Sequence, residues 1–180
     1  MSVTPHRDVA EVANLSLAQY AGSWSRSIDP KSYISGDFDG EGCFTVSISP
    51  RQTLKVGWEA RPSASVSQNR DRSQVLDPIQ RYFGCGTIRP DRSDQTVKWE
   101  VRNLSELRHH VIPHFWVYPM LSGKQTDFEL FAAACEPMAQ KQHLTATGMV
   151  QIVELAAGMN PSGKRRCEPA EIIEENKMKA

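Results

Sequence analysis

No apolar run in this sequence is long enough to cross a bilayer, and its N-terminus lacks the apolar core of a signal peptide. The expectation is a protein that is neither membrane-embedded nor secreted. Also missing are a glycine-rich phosphate loop, a nucleophile triad and a metal-binding histidine pair. His109, His110, His114 and His143 do not fall into HExxH spacing and read as helix-surface or core residues. Those absences push a small-molecule enzyme far down the order of readings. Cysteine is sparse: Cys43, Cys85, Cys135 and Cys167 form no CxxC pair. They read as reduced thiols in a cytosol-like compartment, which argues against zinc. Net charge is missing too, since 21 Lys and Arg balance 21 Asp and Glu. A nucleic-acid partner ordinarily calls for a basic domain. The distribution compensates: Arg51, Lys55, Arg61, Arg70, Arg72, Arg81, Arg89, Arg92, Lys98 and Arg102 crowd the middle, whereas Asp127, Glu129, Glu136, Glu168, Glu171, Glu174 and Glu175 collect later. There is no internal repeat or low-complexity segment. A chain of 180 residues makes one well-cored domain with little left for a second.

The stretch from Tyr33 to Gly42, YISGDFDGEG, organises what is present. Asp29-Pro30 ahead of it reads as a helix start, because Asp accepts from the first free N–H groups and Pro at the next position wastes no donor. Gly40 and Gly42 let the helix stop abruptly, and a strand pattern begins at Cys43. Asp37, Asp39 and Glu41 then crowd the negative end of the helix dipole without an intervening cation, an unfavourable arrangement. Gly36 and Gly40, one turn apart, leave a face without side chains where a second backbone can approach. Spacing alone leaves two readings open. One is a capped helix with turn glycines and solvated acids. The other is a pair of such helices about a two-fold axis, with two Glu41 carboxylates calling for an oxygen-ligated cation such as Mg²⁺, Mn²⁺ or Ca²⁺.

Periodicity supplies the remaining order. Phe44, Val46 and Ile48 alternate with Thr45, Ser47 and Ser49; a turn at 50–53 follows; then Val56, Trp58, Ala60, Pro62, Ala64 and Val66 alternate with Lys55, Glu59, Arg61, Ser63, Ser65 and Ser67. This predicts a half-buried antiparallel hairpin, with Pro62 pointing to an edge or a bulge. Residues 71–83 are helical in pattern and stop at Gly84-Cys85-Gly86. A second hairpin places Thr87, Arg89, Thr96, Lys98, Glu100 and Arg102 opposite Ile88, Val97, Trp99 and Val101, with its turn at 91–94. A helix over 104–118 is interrupted near Pro113, another is capped by Thr126-Asp127, and a last strong one spans 145–159 before Asn160-Pro161-Ser162-Gly163. The result is an α+β chain of order αββαββα with extra C-terminal helices. Its expected divisions are an N-terminal extension over 1–28, the domain over 29–160 and a tail over 161–180. The extension is expected to pack on the domain, the alternative being a reach to a nucleic-acid partner through Arg7, Arg26 or the nearby Lys31.

Ile34 to Gly42 resembles the nine-residue LAGLIDADG motif, and YISGDFDGEGCF is similar to its bacterial and organellar forms. The resemblance covers roughly residues 33–160. A single motif copy implies a homodimeric homing endonuclease that makes a metal-dependent double-strand break in a long near-palindromic DNA site. It also implies a bacterial cytoplasmic or an organellar setting, and an intron-encoded gene. The alternative on the same fold is a non-cleaving binder, an intron-RNA maturase or a DNA-binding regulator.

In that family the polar sheet face is a saddle in the major groove, where base edges carry a full donor and acceptor code. The resemblance places Thr45, Ser47, Ser49, Arg51, Thr53, Glu59, Arg61, Ser63, Ser65, Arg89, Lys98 and Glu100 on it; a solvated sheet face would carry the same alternation. Arg61 and Arg89 suit guanine; Glu59 and Glu100 suit cytosine. Arg70, Arg72, Arg92 and the Lys164-Arg165-Arg166 run suit phosphates. By the same resemblance the metal ligands are the Glu41 carboxylate and the Gly40 carbonyl, with Mg²⁺ expected and Mn²⁺ or Ca²⁺ able to take its place. Gln68, Arg72 and Lys124 complete the catalytic set, and Gly36 and Gly40 form the dimer interface. Asp37 departs from the motif, whose fourth position is apolar. It is expected to be a harmless paired acid, the alternatives being an extra carboxylate near the metal and a weakened interface.

Overall fold

The computed structural model describes residues 29–91, 95–160 and 167–178. The expectations for the extension, for Arg92 and for the Lys164-Arg165-Arg166 run lie outside the described residues.

Helix α1 (Pro30–Glu41) starts as its sequence dictates: the Asp29 carboxylate accepts from the N–H groups of Lys31 at 3.3 Å and Ser32 at 3.0 Å, with Pro30 in the first turn. It ends at Gly42, whose N–H donates to the Phe38 carbonyl. The chain enters strand β1 (Gly42–Pro50) at once, turns over residues 51–57, and returns as β2 (Trp58–Asn69). The turn is longer than expected and absorbs Lys55 and Val56, so β2 starts later than the alternation suggested. A 3₁₀ turn (Arg70–Val75) leads to α2 (Leu76–Phe83), closed by Gly84 at φ +64°. Strands β3 (Thr87–Pro90) and β4 (Thr96–Val101) complete an antiparallel sheet of order β1-β2-β4-β3.

Pro62 is tolerated for a specific reason. It faces Val46 of β1, while β4 begins to pair with β2 only at Ala64. The central strand is therefore a local edge where the proline sits, and no second ladder requires its N–H.

Helix α3 runs through 104–117 as an α-turn (Leu104–Glu106), a π-helical stretch (Leu107–Val111) and an α-segment (Ile112–Val117). The interruption expected near Pro113 takes the form of a π-bulge just before it, which accommodates the missing N–H without breaking the helix. Helix α4 (Lys124–Ala139) begins two residues before the expected Thr126-Asp127 cap. Asp127 instead accepts from the N–H of Asn160 at 2.9 Å, tying α4 to the end of α5 (Ala146–Gly158). Helix α6 (Pro169–Lys177) packs back on the domain, with Ile172 buried and Glu175 accepting from the Trp58 indole at 2.9 Å.

One core forms between the sheet and the helices. Phe38 of α1 lies at its centre, with ring centroids 4.7 Å from Phe115, 5.5 Å from Phe44 and 6.0 Å from Trp99. Aromatic contacts of this kind add about 0.5–1.5 kcal/mol each beyond the area buried, and they fix α1 against both hairpins. Burial pushes the Cys135 thiol up to about 12 and Cys85 up to about 11, in keeping with inert reduced thiols.

Candidate functional site

The C-terminal turn of α1 gathers the site. Its three acids have three different surroundings, and that resolves the crowding seen in the sequence. Asp39 accepts from the N–H groups of Leu121 and Ser122, each at 3.2 Å, and from the Ser122 hydroxyl. The hydroxyl first, then the backbone donors, hold its carboxyl below the usual range. Asp39 is thus a strut that docks the loop entering α4. Lys124, the first residue of α4, reaches back and donates its Nζ to the Gly42 carbonyl at 2.6 Å. This ammonium supplies the positive charge that α1 lacks at its own C-terminus.

Asp37 is half-buried. Its Oδ1 accepts from the Gln68 side-chain amide at 3.0 Å, and its Oδ2 is buried without a partner. Burial, with the Glu41 charge adding to it, pushes its carboxyl up, and the Gln68 bond offsets part of the rise. The harmless, paired acid expected from the sequence is therefore corrected: its partner is a neutral amide, and half of the carboxyl is unsatisfied. Glu41, by contrast, is exposed, and its carboxylate takes no hydrogen bond from the described residues.

Gly36 and Gly40 are exposed on the same helix. A Cβ built at either would meet nothing within 4 Å, so nothing within the described chain requires a glycine there. Gly42 differs: a Cβ there would lie 2.5 Å from the Phe38 carbonyl oxygen and 2.6 Å from its ring. Leu121, in the segment that Asp39 anchors, is 96% exposed.

Of the expected catalytic set, the fold brings Glu41, Gln68 and Lys124 to the end of α1, Gln68 through Asp37 and Lys124 through Gly42. Arg72 is not tied to them. It lies exposed on the 3₁₀ turn after β2, and its ion pair is with Asp71 at 4.0 Å. The oxygen donors fit a hard divalent cation: an uncommitted carboxylate on Glu41 and the Gly40 carbonyl in a last helical turn, where carbonyls lack intrahelical partners. Among the described residues no group of three His, Cys, Asp or Glu side chains could hold an ion.

The sheet face departs from the expected open saddle. Ser63, Ser65 and Glu100 are buried, at the floor of a groove of about 540 Å³. One wall carries Thr45, Ser47, Arg61 and Lys98; the other carries Ala156, Met159 and Ile172 of the C-terminal segments. Glu100 is 8% exposed and fully committed: Oε1 accepts from the Ser63 hydroxyl at 3.0 Å, and Oε2 from Arg89 at 2.5 Å and Arg102 at 3.1 Å. Burial raises its carboxyl, but Ser63 and the guanidiniums of Arg102 and Arg89 outweigh that and hold it low. Both oxygens already have partners and the residue is buried, which leaves Glu100 poorly placed to accept from a cytosine amine. Glu59 likewise bridges Arg51 and Arg61, each at 2.8 Å, and the Arg51 hydrogen bond leads in holding its carboxyl low. Thr45, Ser49 and Lys98 are half-buried, while Ser47, Arg51, Thr53, Arg70 and Arg89 are exposed. Arg102, which sequence reasoning left out of the DNA-facing set although it shares strand parity with Lys98 and Glu100, also lines the groove.

Residues 34–135 match the family described as LAGLIDADG endonuclease. A probable intron-encoded endonuclease of Neurospora crassa is 34% identical over 127 residues, 70% of this chain; the chain spans 24% of that relative's length. Among solved structures, the homing endonuclease I-TnaI superposes with a TM-score of 0.73 at 32% identity, covering 83% of this chain and 98% of that one. The I-LtrWI LAGLIDADG homing endonuclease bound to target DNA gives 0.70 at 32% identity, covering 73% of this chain and 44% of that one. The family match covers more than half of the sequence and falls on the elements that build the site. The chain belongs to the LAGLIDADG endonuclease family.

Proposed function

We propose that the chain acts as a homodimeric, divalent-metal-dependent DNA endonuclease whose two copies meet along the bare face of α1. The observation that carries this is the pairing of two glycines that nothing in the described chain requires with an acid, Glu41, left uncommitted at the C-terminal end of the same helix. Glycine within a helix costs about 0.5–1 kcal/mol relative to alanine. Close approach of a second α1 accounts for that cost. The relative sizes agree: the chain covers nearly all of I-TnaI and 44% of I-LtrWI, so two copies match one chain of the latter.

Glu41 and the Gly40 carbonyl of each copy would hold Mg²⁺, with Mn²⁺ or Ca²⁺ able to occupy the same oxygens. A divalent cation there supplies polarisation of the phosphate and a more acidic water. The chain's own groups do the rest. Gln68 offers an acceptor to orient the water. Lys124 puts its ammonium beside the scissile backbone. Arg72, exposed on the 3₁₀ turn, is left for the phosphate. Double-stranded DNA lies along the sheet, with Arg61, Lys98 and Arg102 lining the groove and Arg51, Thr53, Arg70 and Arg89 around it. Ser63, Ser65 and Glu100 shape this surface from beneath. The fungal, intron-encoded relative favours an organellar setting over a bacterial one. No helix among the described residues is long and apolar enough to cross a membrane.

The test is cleavage of partly randomised near-palindromic duplexes and of the sequence flanking the gene's insertion site. Metal-dependent cutting, abolished by EDTA and by Glu41→Gln while DNA binding persists, is the expected result. Tight DNA or intron-RNA binding with no cutting in Mg²⁺ or Mn²⁺ would instead identify a non-cleaving binder.

A further inference from the structure

We propose that Asp37 is a positioning residue for Gln68, fixing which end of the Gln68 amide faces the reacting phosphate. The inference rests on the endonuclease reading above. The Gln68 side-chain NH₂ donates to Asp37 Oδ1 at 3.0 Å, and a carboxyl oxygen that accepts there selects the NH₂ end of the amide over its carbonyl end. The carbonyl oxygen is thereby turned away from α1. It accepts nothing from the described residues and is not among the buried unpartnered atoms, so it opens to solvent. A water placed there donates one proton to Gln68 and keeps both of its lone pairs free, one of them for in-line attack. With the amide reversed, an NH₂ would face that water, engage one of the two lone pairs and make the oxygen less nucleophilic.

The arrangement is costly. Asp37 Oδ2 is buried with no partner, and the carboxyl stands one helical turn from Glu41, which raises its pKa. A buried acceptor without a donor is destabilising, and an apolar side chain at this place would avoid it. Such costs concentrate where function holds them. Gln68 belongs to the last residues of β2, where side chains begin to be exposed; without Asp37 no described residue holds its amide.

The test compares wild type with Asp37→Asn, which keeps an acceptor, and Asp37→Leu, which removes it; Asp37→Ala repeats the removal without added bulk should Leu not fold. The first readout is the NMR signal of the Gln68 side-chain NH₂, which should be protected from exchange in wild type and Asn but not in Leu or Ala. The second is single-turnover cleavage at saturating DNA. Asp37→Leu should lower the rate by about tenfold or more, equivalent to ~1.4 kcal/mol of barrier, with DNA affinity unchanged and with near-complete rescue by Asn. Unchanged protection of the Gln68 amide in Leu and Ala, or a rate in Leu equal to or above wild type, overturns the assignment. Were wild type itself to cut no DNA, the endonuclease reading would fail, and the NMR comparison would still decide whether Asp37 holds Gln68.

Discussion

Alanine substitutions along α1 should separate folding from function in a way few surface changes do. Gly36 lies in the middle of the helix and Gly40 in its last turn, and both would place a Cβ in open space. With no clash to offset the gain in helix propensity, Gly36→Ala should stabilise the isolated chain by about 1 kcal/mol and Gly40→Ala by about 0.5 kcal/mol. In a domain of this size that is a rise in Tm of ~2–4 °C for the first. Gly42→Ala, two residues beyond, should do the opposite. Its Cβ would sit 2.5 Å from the Phe38 carbonyl, and overpacking of that kind costs ~1–3 kcal/mol. The dimer should respond with reversed signs. Each methyl at Gly36 or Gly40 enters a helix–helix contact twice, so even ~1 kcal/mol per copy weakens the dimer by more than tenfold. Thermal melting at low protein concentration and sedimentation equilibrium across concentrations measure the two effects. Variants that melt higher yet dissociate and lose cleavage are expected. Gly36→Ala and Gly40→Ala proteins with the wild-type dimer constant and full cleavage would refute the claim that these glycines serve a second α1.

Other outcomes follow from the surroundings of single side chains. His114 is 5% exposed; the Ser35 hydroxyl lies 3.2 Å from its Nε2 and the Tyr82 hydroxyl 3.0 Å from its Nδ1. Burial pushes its pKa down to about 4, against an ordinary 6.5, with Asp29 and Lys31 nearby in opposition. Between those values the unfolded chain binds a proton that the folded chain refuses, so stability is unaffected above pH 6.5, falls as pH drops below it and levels off near pH 4, a loss of ~3 kcal/mol. Urea unfolding at pH 7 and pH 5 should show this slope in wild type and lose it in His114→Gln. If Arg89 and Arg102 contact bases as proposed, Glu100→Gln should relax base preference at those positions more than it weakens overall affinity, measured by selection from a randomised half-site. Lys124→Met should slow cleavage at least tenfold while leaving DNA binding within a few-fold, and should cost ~1 kcal/mol of stability by removing the donor to the Gly42 carbonyl.

Local rules made much of this legible beforehand. Asp29-Pro30 set the helix start, alternation set both hairpins, and glycines set where α1 and α2 stop. What stayed hidden depends on distant chain. Asp39 looked like a misplaced charge because its donors, Leu121 and Ser122, lie 82 and 83 residues on. Glu100 and Ser63 carried the polar parity of exposed residues, yet β2 and β4 place them side by side in the floor of a groove that α5 and α6 wall in. A buried ion cluster inside a polar strand face has the same sequence pattern as a solvated one. The beginning of α4 was misplaced because Thr126-Asp127 has cap chemistry, while the actual first turn is fixed by the Ser122–Asp39 and Lys124–Gly42 contacts.

The most direct measurement is cleavage of the target duplex in Mg²⁺ by wild type, by Glu41→Gln, and by a mixed dimer carrying one copy of each. Two strands cut by wild type, none by Glu41→Gln, and a product pattern in the mixed dimer distinct from both are predicted by an active site completed across the α1 pair. Cutting by Glu41→Gln at the wild-type rate, or by a protein that sediments as a monomer on DNA, would contradict it.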